Sequence, residues 1–116
     1  MTKQEVRKAW VKALRSGQYN QGKYSLCIPT PIGSQYCCLG ILAELAVQQG
    51  IVEKNGTFYD KQSIFLSPTI MKWAGLRSSD GAYQGSALSI KNDSDISFTK
   101  IADIIESAPP GLFVED

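Results

Sequence analysis

The segment Cys38-Leu39-Gly40-Ile41-Leu42-Ala43-Glu44-Leu45-Ala46-Val47 constrains this chain more than any other feature. Glu44 is its only charge, and apolar residues fall on nearly every side of a helical projection. It is longer than a typical strand of about 5–6 residues, and Leu and Ala favour a helix. A helix that is apolar all round must be covered on most sides, so the rest of the chain has to wrap around it. Gly50 ends it. Gly40 sits in its first turn, where the missing Cβ permits close backbone approach. Glycine inside a helix costs about 1 kcal/mol relative to Ala, which packing has to offset. With 116 residues the chain can build one core and not two, so residues 1–116 are read as a single compact domain.

The flanking segments carry their own signals. Thr2 and Glu5 form a capping box at the start of a helix that runs to about Ser16. Val6, Ala9, Trp10, Ala13 and Leu14 repeat at helical spacing and predict one buried stripe, with Lys8, Lys12 and Arg15 opposite. Val11 falls on that basic face. Gln18 to Lys23 reads as a polar loop, and Tyr24 to Thr30 as a strand in which Tyr24, Leu26 and Ile28 share a face. Pro29 places part of that strand at an edge, and Gln35-Tyr36-Cys37 returns antiparallel. Asn55-Gly56 predicts a second hairpin within Ile51 to Asp60. Ser67-Pro68 opens a short helix that ends at Gly75. Residues 75–86 read as a polar, glycine-rich loop and Ala87 to Lys91 as a strand. Ser97 caps a last helix with Phe98, Ile101, Ala102 and Ile105 on one side and Ile104 off that stripe. Leu112 and Phe113, after Pro109-Pro110-Gly111, are placed to pin the tail to the body. The expected class is α+β: about four helices around the central apolar one, with two or three antiparallel hairpins.

Composition removes several chemistries. The chain has no histidine, which excludes the usual Ser-His-Asp and Cys-His nucleophiles and imidazole zinc sites. Its three cysteines, Cys27, Cys37 and Cys38, are odd in number, and two are adjacent. Their spacing fits no common metal pattern, and the N-terminus lacks the apolar stretch of a signal peptide. Buried free thiols in a reducing cytoplasm are therefore expected. No apolar run approaches the roughly 18–20 residues of a membrane span. No metal or cofactor is called for.

Charge is nearly balanced overall but not along the chain. Residues 1–24 carry Lys3, Arg7, Lys8, Lys12, Arg15 and Lys23 against Glu5, a net +5. Residues 80–116 carry Asp80, Asp93, Asp95, Asp103, Glu106, Glu115 and Asp116 against Lys91 and Lys100, a net −5. Such a split either steers a partner or pairs the two ends of the chain.

Two segments stand out as candidate binding sites. One is the loop after the first helix, with Arg15, Tyr19, Gln21 and Lys23. The other contains Arg77, Asp80, Tyr83 and Gln84, where a guanidinium, hydroxyls and an aromatic ring can meet an anion or a base. The competing readings are a helix stop followed by a hairpin approach, and a solvated loop. Neither segment contains a phosphate-binding glycine motif. Asp93-Ser94-Asp95 lacks the remaining ligands of a calcium loop and reads as a turn. Glu44 is either a buried functional acid or a residue that reaches solvent or meets a basic partner.

Several strings together resemble a family of small proteins encoded by bacteriophages and prophages. They are Trp10-x-x-Ala13-Leu14-Arg15-Ser16-Gly17-x-Tyr19-x-Gln21-Gly22 and Tyr36-Cys37-Cys38-Leu39-Gly40-Ile41-Leu42. Further pieces are Trp73-x-Gly75-Leu76, Asn92-Asp93 ahead of Ser97-Phe98, and Ile101-Ala102-Asp103-Ile104-Ile105. The likeness covers most of residues 8–106, and Cys-Cys-Leu-Gly is its most specific part. Asp95 stands where relatives often have Gly, and Ser67 separates Leu66 from Pro68. The resemblance implies a viral accessory protein in a bacterial host cytoplasm and assigns no catalytic residue.

Together these observations lead to the expectation of a non-enzymatic protein that binds and modulates a host or host-defence protein. A binder of a small, nucleotide-like anion is the first alternative. Nucleic-acid binding through Lys8, Lys12 and Arg15 is the second, set back by a pI near 7.6. A homo-oligomer stays open.

Overall fold

A computed structural model describes residues 1–114. The apolar segment is a helix at the centre of an α+β fold: α2, Cys38–Gln48, buries Cys38, Leu39, Gly40, Ile41, Leu42, Ala43 and Ala46. Around it lie α1 (Lys3–Arg15), α3 (Pro68–Ala74), α4 (Leu88–Asp93) and α5 (Phe98–Ser107). Among the described residues seven short strands form three small sheets: β1 (Asn20–Gln21), β2 (Cys27–Thr30), β3 (Gly33–Tyr36), β4 (Lys54–Asn55), β5 (Phe58–Tyr59), β6 (Ala82–Tyr83) and β7 (Ser86–Ala87). No helix among the described residues is long and apolar enough to cross a membrane.

Gly40 makes the central position of α2 workable. A Cβ built there would lie 1.8 Å from the Leu26 carbonyl oxygen and 2.7 Å from its carbon. Backbone therefore packs directly on backbone, and the glycine is a condition of that contact. Trp10 of α1, fully buried, donates its indole N–H to the Cys38 carbonyl at 2.9 Å. This bond satisfies the one polar atom that so large an apolar side chain carries into a core.

The capping box of α1 is present: Glu5 N–H donates to Thr2 Oγ1 at 3.1 Å, and Thr2 N–H to Glu5 Oε1 at 2.8 Å. Ser67 caps α3 and Ser97 caps α5, each accepting from the third residue on. Gly75 ends α3 in the left-handed conformation, φ +72°. Two expectations for helix faces change. Val11, placed by periodicity on the basic side of α1, is 7% exposed, because α5 packs along that side. Ile104 packs against the same core rather than standing clear of it. The tail is fixed as expected: Leu112 is fully buried and Phe113 bridges Leu76. The Arg7 guanidinium lies 3.9 Å above the Phe113 ring.

Sheet structure departs further from the sequence reading. β3 is central, antiparallel to β2 and parallel to β1. The polar loop over residues 18–23 thus contains a strand, whose pairing with β3 is nonlocal. β2 starts only at Cys27, and Tyr24 is outside it with φ +70°. Pro29 lies on an edge strand, where its missing N–H is harmless. The second hairpin pairs Asn55 with Phe58, so its turn is Gly56-Thr57, one residue later than Asn55-Gly56. Only Gly56 of that pair has positive φ, as a type II′ turn requires.

The glycine-rich segment over residues 75–86 is not a free loop. Ala82–Tyr83 and Ser86–Ala87 pair as a hairpin around Gln84 (φ +46°) and Gly85 (φ +77°), the two left-handed residues of a type I′ turn. The expected strand over Ala87 to Lys91 is instead α4, a fifth helix. Leu88 and Asn92, one turn apart, both point inward. A buried polar residue at the second site broke the apolar pattern that would have revealed a helix.

Gly40→Ala should cost about 3 kcal/mol or more, in the range of severe core disruptions. Equilibrium urea unfolding checks this, and a midpoint unchanged from wild type would show that α2 can move off Leu26.

Candidate interaction surface

A buried carboxamide organises the region where both candidate segments meet the core. Asn92 is 1% exposed. Its Oδ1 accepts from Cys38 N–H and from Gln21 Nε2, both at 3.0 Å. Its Nδ2 donates to the Gly22 carbonyl at 2.8 Å and to Asp93 Oδ1 at 3.2 Å. Cys37, the N-cap of α2, makes no side-chain capping bond, so Asn92 performs that service from α4. Gln21 completes the network, donating to the Ile96 carbonyl at 2.8 Å and accepting from Phe98 N–H at 3.1 Å. It therefore serves the start of α5 as Asn92 serves the start of α2.

This accounts for most of the first candidate segment. Gln21 is committed to that network. Tyr19 stacks edge-on against Tyr36, with centroids 5.6 Å apart. Lys23 is ion-paired with Asp95 at 2.5 Å. Arg15 binds Asp103 at 2.7 Å and both oxygens of Glu106, at 3.0 and 3.1 Å. The charge split along the chain is thus used partly to join its own ends. Arg15 also brings two carboxylates onto the basic face of α1, which ceases to be a continuous cationic strip.

The second segment is mostly scaffold. Arg77 N–H donates to the Leu112 carbonyl at 3.1 Å, while its side chain is exposed and bonded to none of the described residues. Ser78 Oγ donates to Asp80 Oδ1 at 2.9 Å and accepts from Ala82 N–H at 2.7 Å. Tyr83 is half-buried in β6, where desolvation raises its pKa, and Gln84 is at the turn. Of these four, only Asp80 lines the groove described next.

That groove gathers four of the exposed large apolar side chains. Tyr24, Ile64, Phe65 and Ile90 are 68%, 53%, 45% and 55% exposed. Three separate segments bring them to one groove of about 360 Å³, which Cys37, Leu39, Asp80, Ser89 and Asp93 also line. Its parts are held rather than loose. Leu26 N–H bonds the Ser63 carbonyl at 2.8 Å and Leu66 N–H the Ser79 carbonyl at 3.0 Å, clamping the chain on both sides of Ile64-Phe65. Tyr24 N–H donates to Asp93 Oδ1 at 3.0 Å. A bulky residue at positive φ costs of order 1–3 kcal/mol and persists where its surroundings hold it. Sequence reasoning missed Tyr24, Ile64, Phe65 and Ile90 as a site. The available signal was Ile64-Phe65-Leu66, three apolar residues with no helical or alternating partner.

Two other depressions differ in character. One, of about 690 Å³ between α1, α5 and the tail, combines Lys8 and Lys12 with Val11, Ile105 and Phe113. Val11 and Ile105 are buried at its floor, and Lys8, Lys12 and Arg15 stand among its lining residues. The other, of about 1070 Å³, lies along the β4–β5 hairpin with Phe58 and Ile51.

Glu44, read as functional acid or ion-pair partner, meets Lys54 at 2.9 Å and accepts the Tyr59 hydroxyl at 2.5 Å. Burial opposes the charge on Lys54, but the hydrogen bond and attraction of Glu44 raise its pKa on balance. Burial first, then Glu44, holds the Tyr59 phenol protonated. The three cysteines are free and buried. Desolvation pushes Cys37 up to about 11 and raises Cys38, so both are protonated thiols at neutral pH. Among the described residues no three His, Cys, Asp or Glu side chains are placed to share a metal ion.

With this geometry in view, the class of protein is clear: a small α+β domain with an internally satisfied polar network and an exposed, partly apolar groove. The chain belongs to the family described as a domain of unknown function, DUF8296, which it matches over residues 2–109. No curated protein and no solved structure matches it significantly.

Two outcomes test this account of the polar residues. Asn92→Ala strands the buried Cys38 N–H and Gly22 carbonyl, at about 1–3 kcal/mol for each unsatisfied group. Urea unfolding should therefore show a loss of several kcal/mol, and a loss of a few tenths would mean that water replaces the carboxamide. The Arg15 cluster should be acid-sensitive. Hydrogen bonding by Arg15 lowers the pKa of Glu106. Its contribution is therefore complete above the unfolded value of about 4.3 and fades as pH falls through the lowered folded value. Wild type and Arg15→Met should differ in Tm at pH 7 and converge in strong acid. A gap that stays constant down to pH 2 would assign it to packing.

Proposed function

We propose that this protein is a phage-encoded accessory protein without catalytic activity, which binds and modulates a host or host-defence protein in a bacterial cytoplasm. The observation that carries the reading is the gathering of Tyr24, Ile64, Phe65 and Ile90 around one groove. Exposed contiguous apolar surface rimmed by polar groups is characteristic of protein-binding sites. Aromatic anchors on fixed backbone lose little freedom on docking, which favours affinity. The sequence likeness to phage and prophage proteins supports the biological setting.

The alternatives draw less support from the same geometry. A nucleotide-like anion would have Arg77 but not Arg15 or Lys23, whose charges are already neutralised by carboxylates. Nucleic acid on α1 would meet Asp103 and Glu106 beside Arg15.

Affinity capture from host lysate, run with wild type, with Ile64→Asp/Ile90→Asp and with Lys8→Glu/Lys12→Glu, tests the reading. Wild type and the lysine variant should retain the same saturable partner, and the aspartate variant should lose it. Equal retention by all three overturns the assignment to this face. Loss in the lysine variant alone would move the site to α1.

A further inference from the structure

We propose that the Tyr24–Phe65–Ile90 face receives a cationic segment of the partner protein, in which an aliphatic or aromatic anchor is flanked by Lys or Arg. This rests on the reading of that face as a protein-binding surface and adds the chemistry of what binds. The nine residues lining the groove include two carboxylates, Asp80 and Asp93, and no cation. Lys23, adjacent in sequence to Tyr24, is ion-paired with Asp95 at 2.5 Å and also feels the charge of Asp93, but it does not line the groove.

Among the described residues neither carboxylate is within ion-pair distance of a cation, and both are positioned by hydrogen bonds. Asp80 Oδ1 accepts from Ser78 Oγ at 2.9 Å. Asp93 Oδ1 accepts from Tyr24 N–H at 3.0 Å and Asn92 Nδ2 at 3.2 Å. These bonds fall on one oxygen of each group and come from neutral donors. Each side chain therefore has a second oxygen for an incoming ammonium or guanidinium. Charge-assisted contacts at the rim of an apolar patch set partner choice and on-rate more than bulk affinity.

The same charges discriminate among occupants. A second copy docked by two-fold symmetry would present Asp80 and Asp93 to the same face of its mate, and like charges across a desolvating contact are unfavourable. A nucleic-acid strand would bring phosphates toward the same carboxylates. An acidic peptide fails for the same reason. A basic segment with one bulky apolar residue satisfies both the groove and its rim.

Three labelled peptides, compared by fluorescence anisotropy on the intact protein, provide the test. One carries Leu-Phe between lysines, one carries Leu-Phe between glutamates, and one carries Gly-Ser between lysines. The first should bind about tenfold or more tightly than either control. Asp80→Asn/Asp93→Asn keeps every hydrogen bond acceptor named above and should weaken it about fivefold, as should 0.5 M salt. Ile90→Asp, at an exposed position, should abolish it, with unchanged Tm verifying the fold of each variant. Equal binding of the lysine and glutamate peptides, both lost in Ile90→Asp, overturns the cationic preference and leaves the apolar face standing. Binding of anchored peptides that ignores Ile90→Asp, or no binding of any anchored peptide, overturns both.

Discussion

Asn92 places one carboxamide where four parts of the chain need it. It caps α2 through Cys38 N–H, closes the β1 segment through the Gly22 carbonyl, orients Gln21, and fixes Asp93. In a low-dielectric interior each of these bonds is stronger than in water, and each would be expensive to leave unmade. Central helix, first strand, α4 and the start of α5 are therefore set relative to one another by a single side chain and its partner Gln21. The backbone contact of Gly40 on Leu26 fixes the same helix a second time. α2 is held by both a polar clamp and a steric one.

The exposed face follows from that clamp. Asp93 takes its position from Asn92 and in turn holds Tyr24 N–H, keeping a tyrosine in the left-handed region with its ring toward solvent. Ile90 stands on the outer side of the same short helix whose inner side carries Leu88 and Asn92. The core network and the proposed binding surface are two faces of one element. Such coupling makes the surface rigid, which lowers the entropy lost when a partner docks.

Much of the helical architecture was legible from residues. The cap at Thr2, the Ser67-Pro68 start, the Gly75 stop and the Ser97 cap are local chemistry, decided within a turn of the residue concerned. Where the reading failed, the deciding contact was remote. Tyr24 left the strand because of Asp93, α4 formed around a buried Asn rather than an apolar repeat, and Val11 was covered by α5. The candidate site suffered most. Arg15, Gln21 and Lys23 look like ligand-binding residues in sequence, because donors on a loop can serve a ligand or the protein itself. Here Asp103, Glu106, Asn92 and Asp95 use them internally.

The sequence alone determined that there would be one core built on the segment from Cys38 to Val47, that Gly40 would admit a close neighbour, and which residues would start and stop most of the helices. These follow from side-chain polarity and from backbone preferences that act over a few residues. Tertiary structure alone decided which polar groups were consumed, since an ion pair or a buried carboxamide network depends on partners tens of residues away. It also decided which apolar residues stayed outside. Burial belongs to position in the folded chain, and nothing in the identity of Tyr24, Phe65 or Ile90 distinguishes them from the leucines packed beneath.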